Sequence, residues 1–241
     1  TKYSIIEGQE VWHENIYIPS EYSQSAPHSI IYNEINNMIY VYTGQKIIYL
    51  SKTSGIIQGS MVVGETGYFS SRYSTIKRTN KLAFDPLHNR IFCTNEDDEL
   101  LVIDCSDADN PEIIQEFSSP LPLESSFLFF NPEIDRLYWV QNSLIESSAS
   151  KLVVINTNSF TIDGNFSTSP QREIFDVAFC HQNDYISLSV RSKGLQGAFG
   201  DLSLLDAHTL VVYDAYVFSD KEPNKLVYVG EANRLYCLTT N

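Results

Sequence analysis

Apolar and polar residues alternate along this chain in a pattern that recurs. Two apolar residues and an aromatic come first, then four or five mostly polar turn residues, then an apolar–aromatic pair. The copies read IIYNEINNMIYV from Ile30, LAFDPLHNRIFC from Leu82, LFFNPEIDRLYW from Leu128, VAFCHQNDYISL from Val177 and LVYVGEANRLYC from Leu226. Their anchoring aromatics, Tyr32, Phe84, Phe130, Phe179 and Tyr228, are spaced by 52, 46, 49 and 49 residues. Each copy predicts two short strands around a tight turn. Asn, Asp, Pro and Gly in the turn supply the backbone angles and local hydrogen bonds that a reversal needs.

A second half follows each core: an apolar run, a small polar residue, a turn and a further apolar or alternating run. The copies are KIIYLSKTSGIIQGSMVV from Lys46, ELLVIDCSDADNPEIIQEF from Glu99, KLVVINTNSFTIDGNF from Lys151 and DLSLLDAHTLVVYDAYVF from Asp201. Ser51, Asp104, Asn156 and Asp206 close the third strand. β-branched and aromatic residues dominate throughout, and no segment keeps a 3.6-residue apolar period, so strands are expected and helices should be few.

Four short strands at this period describe one blade of a β-propeller. The runs FDPLHNRIFCTN with LLVID, and FNPEIDRLYWV with LVVIN, resemble the YVTN class of propeller repeats. LLVIDCSDADNPEII resembles the related LVIVD repeat. The resemblance covers nearly the whole chain and implies an all-β propeller of four-stranded antiparallel blades; it implies little about function, because such repeats serve unrelated proteins. The fourth copy departs from it, with Cys180 where Asp or Asn is expected and Tyr185 where Arg is.

The expected division is one propeller domain over residues 1–241, with repeats at about 28–77, 78–123, 124–171 and 172–220. Residues 1–27 read as the second half of a repeat and 221–241 as the first half, together one repeat in length. Two arrangements fit: a closed five-bladed ring fastened by both ends, or a segment of a seven- or eight-bladed chain. The chain starts at Thr1 and shows no signal-peptide pattern. Either a targeting segment has been removed or the chain is part of a longer one.

Composition narrows the function classes. The 241 residues are 43% hydrophobic and 12% aromatic, which excludes a disordered chain. No apolar run approaches the length of a membrane-spanning helix. The net charge of −14 disfavours nucleic acid and anionic membrane surfaces. Cys93, Cys105, Cys180 and Cys237 form no C-x-x-C pair and read as free, buried thiols.

Candidate chemistry is sparse. There is no nucleophile elbow, zinc-protease, P-loop or dinucleotide motif. Gly194–Gly200 is glycine-rich but joins two strands, so a long hairpin loop is expected. Glu96–Glu99 and Asp104, Asp107 and Asp109 lack the glycine and distal Glu of a calcium loop. The five histidines have no close partner, and Trp139 falls at a strand position that favours packing. No metal or cofactor is expected.

The repeat geometry supplies the site hypothesis. In a propeller the first strand of each blade lines the channel, and residues just before its apolar core lie near the mouth. That places His28, Asn80, Lys81, Ser126, Asp176, Asn224 and Lys225 there. Lys81 and Lys225 are positive groups in an acidic chain and stand out to an anionic ligand. The expected function is a non-enzymatic binding or scaffolding module of a secreted or surface protein, extracellular or periplasmic, holding a protein or small-ligand partner at the channel mouth. The alternative is a propeller enzyme such as a glycoside hydrolase, which needs two facing carboxylates. Asp176 is the one acid in the set, with Glu124 and Glu173 nearby; faced by Lys81 and Lys225, it reads as an ion-pair network rather than an acid/base pair.

Overall fold

A computed structural model describes residues 2–3, 10–12, 29–44, 46–64, 81–95, 99–118, 123–143, 147–192, 200–219 and 221–240. Their regular structure is antiparallel β-strand, apart from two 3-10 turns. Among them no helix is long and apolar enough to cross a membrane. The chain forms two compact units, Thr1–Ser118 and Ser119–Asn241.

The first unit holds a short pair, β1 (Lys2–Tyr3) with β2 (Glu10–Trp12), and two four-stranded sheets. The sheet from the first repeat runs β3 (Ser29–Asn33), β4 (Met38–Tyr42), β5 (Lys46–Ser51), β6 (Ile57–Val62). The second runs β7 (Leu82–Asp85), β8 (Arg90–Thr94), β9 (Leu100–Asp104), β10 (Glu112–Phe117). The second unit holds β11 (Leu123–Asn131) to β14 (Thr161–Ser167) through β12 (Arg136–Ser143) and β13 (Lys151–Asn156). Next comes β15 (Arg172–Cys180) to β18 (Val212–Phe218) through β16 (Tyr185–Ser192) and β17 (Gly200–Asp206). A hairpin of β19 (Glu222–Val229) and β20 (Arg234–Thr240) completes that unit. Every pairing is antiparallel between sequence neighbours, the meander that the repeat pattern predicts.

The burial of each strand follows its place in the sheet. The middle strands β9 and β12 are covered on both faces, whereas the outer strand β10 alternates between exposed and half-buried. Sheet-on-sheet packing of this kind builds one core in each unit. The first gathers Tyr40, Tyr42, Ile47, Leu82, Ile91 and Leu101; the second gathers Tyr138, Leu152, Ile174, Phe179, Ile186 and Leu188. Each such side chain contributes roughly 1.5–3 kcal/mol through burial. Trp139 is 2% exposed, as a packing residue should be, and three of the four free cysteines are buried.

The turns show why the repeat carries Asn and Asp where it does. Asn37, Asn89, Asp135, Asp184 and Asn233 occupy the same position in five copies, and all have left-handed backbone angles, with φ between 46° and 58°. Short polar side chains tolerate that region best after glycine. Three residues open their turns with a side-chain oxygen. Asn33 Oδ1 accepts from the Ile35 amide at 3.0 Å, Asp85 Oδ1 from Leu87 at 2.9 Å and Asn131 Oδ1 from Glu133 at 3.0 Å. Cys180 and Val229 cannot accept in this way. At those two positions the turn is instead a 3-10 turn, His181–Asn183 and Gly230–Ala232.

Candidate functional site

The inner strands of the second unit share an irregularity that the strand pattern alone does not show. Pairing skips one residue between Ser125 and Phe127, between Ile174 and Asp176, and between Pro223 and Lys225. Ser126, Phe175 and Asn224 are therefore the extra residues of three β-bulges. All three stand four residues before their aromatic anchors, at the strand ends where the sequence places its candidates. A bulge bends its strand and re-aims the neighbouring side chains, and such features concentrate at sheet edges and binding sites.

In β15 the bulge brings two carboxylates to one face. Glu173 pairs across to Arg191 and Asp176 to Ser189, positions two apart on β16. Both acids are buried, at 7% and 3% exposure. Glu173 accepts from Arg191 Nε, and the same guanidinium lies 3.8 Å from Glu222 and 3.9 Å from the Phe175 ring centroid. Asp176 receives Lys225 Nζ at 3.0 Å and the Leu226 amide at 2.7 Å. Beside them Arg172 bonds Asp201 at 3.1 Å. This is an ion-pair network, in which each buried acid faces a cation.

The network also fastens neighbouring sheets. Asp176 reaches from β15 to the backbone of β19. One step earlier in the chain, the Asn142 amide donates to the Ile174 carbonyl at 2.8 Å and accepts from the Ile174 N–H at 2.9 Å. Asn142 and Arg191 hold corresponding places at the ends of β12 and β16. The polar run Gln141-Asn142-Ser143, which interrupts an otherwise apolar strand, is the trace of this contact in the sequence.

The candidates thus divide. Asp176, Asn224 and Lys225 come together in the second unit. Asp176 is a buried fastener, Asn224 is half-buried and Lys225 is exposed. Ser126 lies in β11 as the residue that the pairing with β12 skips. Lys81 belongs to the first unit, half-buried just before β7, and its carbonyl accepts from the Thr94 amide at 3.0 Å. His28 and Asn80 lie outside the described residues, as do Glu96 to Asp98 and the Gly194–Phe199 stretch of the glycine-rich loop. The sequence reads Asp176 with Lys225 as part of an ion-pair network rather than an acid/base pair, and the structure pairs the two, so the Lys225 charge is partly compensated.

Among the described residues, several other acids and histidines make local contacts. Asp104 caps its turn through Ser106, whose hydroxyl and amide hold the carboxyl below the usual range against partial desolvation. Asp206 does the same with Thr209 and His208. His88 bonds Asp85 at 2.8 Å, and His181 sits between the Phe179 and Tyr228 rings. Among the described residues no group of three or more metal-binding side chains converges. In the first unit, a cleft of about 230 Å³ opens among Val62, Val63, Asn95, Glu99, Leu101 and Glu116.

No protein-family model matches the chain. No curated protein matches it. Solved structures do, at low identity. The Dos1 propeller is 13% identical with a TM-score of 0.64, over 86% of this chain and 51% of that one. The Cps50 (Swd1) β-propeller domain of Myceliophteria thermophila is 8% identical at 0.58, over 88% and 62%. A putative 6-phosphogluconolactonase of Bacteroides uniformis is 15% identical at 0.62, over 88% and 62%. The chain thus spans between half and two thirds of the length of these structures. It shares their fold: an all-β propeller architecture of antiparallel blades.

Proposed function

We propose that the chain is a non-enzymatic propeller module of the YVTN/LVIVD-like kind, which holds a protein partner at the polar ends of its inner strands. One observation supports this most: the same bulge recurs in β11, β15 and β19 and sets polar or aromatic residues at equivalent strand ends. Bulges also recur between the third and fourth strands of the four four-stranded sheets, so what singles out those of β15 and β19 is their position beside Glu173, Asp176 and Lys225. Asn224, Lys225 and the rim of Arg191 are the contact groups assigned to the second unit, with Lys81, His28, Asn80 and Ser126 as their counterparts in other repeats. Asp176 acts by positioning Lys225. The glycosidase alternative calls for two carboxylates about 5–9.5 Å apart and free to act as acid and base. Glu173 and Asp176 each face a cation instead, which favours binding over hydrolysis.

The test is affinity capture from the native source with quantitative mass spectrometry. Wild type and Asn165→Ala, on the exposed outer strand β14, should retain the same partners. Asn224→Ala and Lys225→Gln should lose them by about tenfold, which is 1.4 kcal/mol of binding. Identical capture by all four, each folded by circular dichroism, overturns the assignment.

A further inference from the structure

Many asparagines of this fold are engaged. Asn33, Asn131 and Asn156 accept backbone amides in their turns, Asn33 also meets Asn89 across two sheets, and Asn142 fastens Ile174. Asn165 differs: it is exposed, and its side chain makes no hydrogen bond among the described residues. Within these 241 residues it is also the only asparagine followed two places later by serine or threonine with no proline between, in Asn165-Phe166-Ser167. That triplet is the acceptor pattern for N-linked glycans. β14 presents it outward. Strand alternation sets Asn165 and Ser167 on one face, both exposed, and turns the half-buried Phe166 to the other, against the core of the second unit. Pairing with β13 is unbroken through the three residues, so the alternation holds. β14 hydrogen-bonds only to β13 among the described residues, and a bulky group on its exposed face displaces no strand.

We propose that Asn165 is an N-glycosylation site, whose sugar comes from a lipid-linked diphospho-oligosaccharide. The Asn165 amide nitrogen attacks the anomeric carbon of that donor. A carbon–nitrogen bond forms, and the bond from the same carbon to the diphosphate oxygen breaks. The lipid diphosphate leaves with the electron pair, and the amide gives up one proton. Because the Asn165 side chain donates no hydrogen bond in the fold, the modification removes none. The glycan is bulky and hydrophilic. It stands on an open sheet edge that also carries Ile162, 60% exposed, the kind of edge that proteins cover. The proposal rests on the expected extracellular or periplasmic location. The cysteines fit such a location, since burial raises the thiols of Cys93, Cys105, Cys180 and Cys237 above their ordinary value and none is a reactive thiolate.

Two measurements test this. In the chain isolated from its native source, mass spectrometry of the peptide that contains Asn165 should find an oligosaccharide attached through that asparagine. Separately, wild type, Asn165→Gln, Ser167→Ala and Ser167→Thr are secreted from a eukaryotic host. Wild type and Ser167→Thr should each carry one glycan, read as a single mobility step that peptide-N-glycosidase removes. Asn165→Gln and Ser167→Ala should lack that step. An unmodified Asn165 in the native chain overturns the proposal, and the host result then separates the two causes. A glycan added in the host shows that the expected location fails; none there shows that β14 is not an acceptor. A mobility step that survives Asn165→Gln places the modification elsewhere and overturns the proposal as well.

Discussion

Asp176 shows how one side chain can look functional in sequence and prove to be an anchor. Its carboxylate is buried and accepts two hydrogen bonds from β19, one of them from backbone. Removing it strands the Leu226 amide and leaves Lys225 unpaired. Asp176→Ala should therefore cost about 2–3 kcal/mol, read as a lower urea midpoint. Lys225→Gln should cost about 1 kcal/mol, because the ammonium is half exposed and the acid keeps its amide donor. Equal losses would mean that Asp176 does not hold the seam. Asp206 makes a second, pH-dependent case. The Thr209 amide and hydroxyl lower its carboxyl below the usual value near 3.9. A depressed folded value contributes stability above the unfolded one and loses it as pH falls through the folded one. Asp206→Asn should thus lower the melting temperature at neutral pH, and its difference from wild type should shrink as pH drops below about 4. A difference that stays constant down to acid would exclude this origin.

At the scale of elements, blades meet through contacts that leave no room. A Cβ on Gly200, the first residue of β17, would overlap the ring of Pro223 in β19. Gly200→Ala must push the hairpin away from its neighbouring sheet, at a cost of about 1–3 kcal/mol from overpacking. The change should appear as faster hydrogen exchange in β19 and β20 with little effect on β12 to β14; uniform protection throughout would refute it. Strand order and turn positions were legible in the sequence, because period-two apolar runs and left-handed Asn or Asp have local causes. Two of the inner-strand bulge positions, Ser126 and Asn224, show in the sequence as places where the repeat turns polar, whereas Phe175 does not. Nothing local distinguishes Ser126, Phe175 and Asn224 from ordinary strand ends; their irregularity arises from pairing with β12, β16 and β20. Partners were legible in part. The Asp176–Lys225 pair was legible as two charges at equivalent places of neighbouring repeats, whereas Arg191 meeting Glu173 and Glu222 depends on how one blade lies on the next, which no spacing within a repeat encodes.

For the molecule as a whole, charge is the dominant long-range quantity. Thirty acidic side chains face 16 basic ones, and the net charge is −14. Several of the cations are already committed to acids, including Lys225 to Asp176, Arg172 to Asp201 and Arg136 to Asp163. The surplus charge is acidic, and its mutual repulsion favours expanded chains over compact ones. Salt screens repulsion and attraction alike, with a Debye length near 10 Å at 0.1 M. Pairs with one buried partner, such as Asp176–Lys225, are screened only in part, and exposed pairs contribute less than about 1 kcal/mol each. Repulsion should then respond more than attraction. Raising sodium chloride from about 0.02 M to about 0.3 M should raise the melting temperature by a few degrees, with most of the gain at the low end where the Debye length shortens fastest. Sodium chloride and choline chloride at equal ionic strength should act alike, since the effect is screening rather than cation binding. A melting temperature that falls with salt would show that the ion-pair seams outweigh the surplus charge.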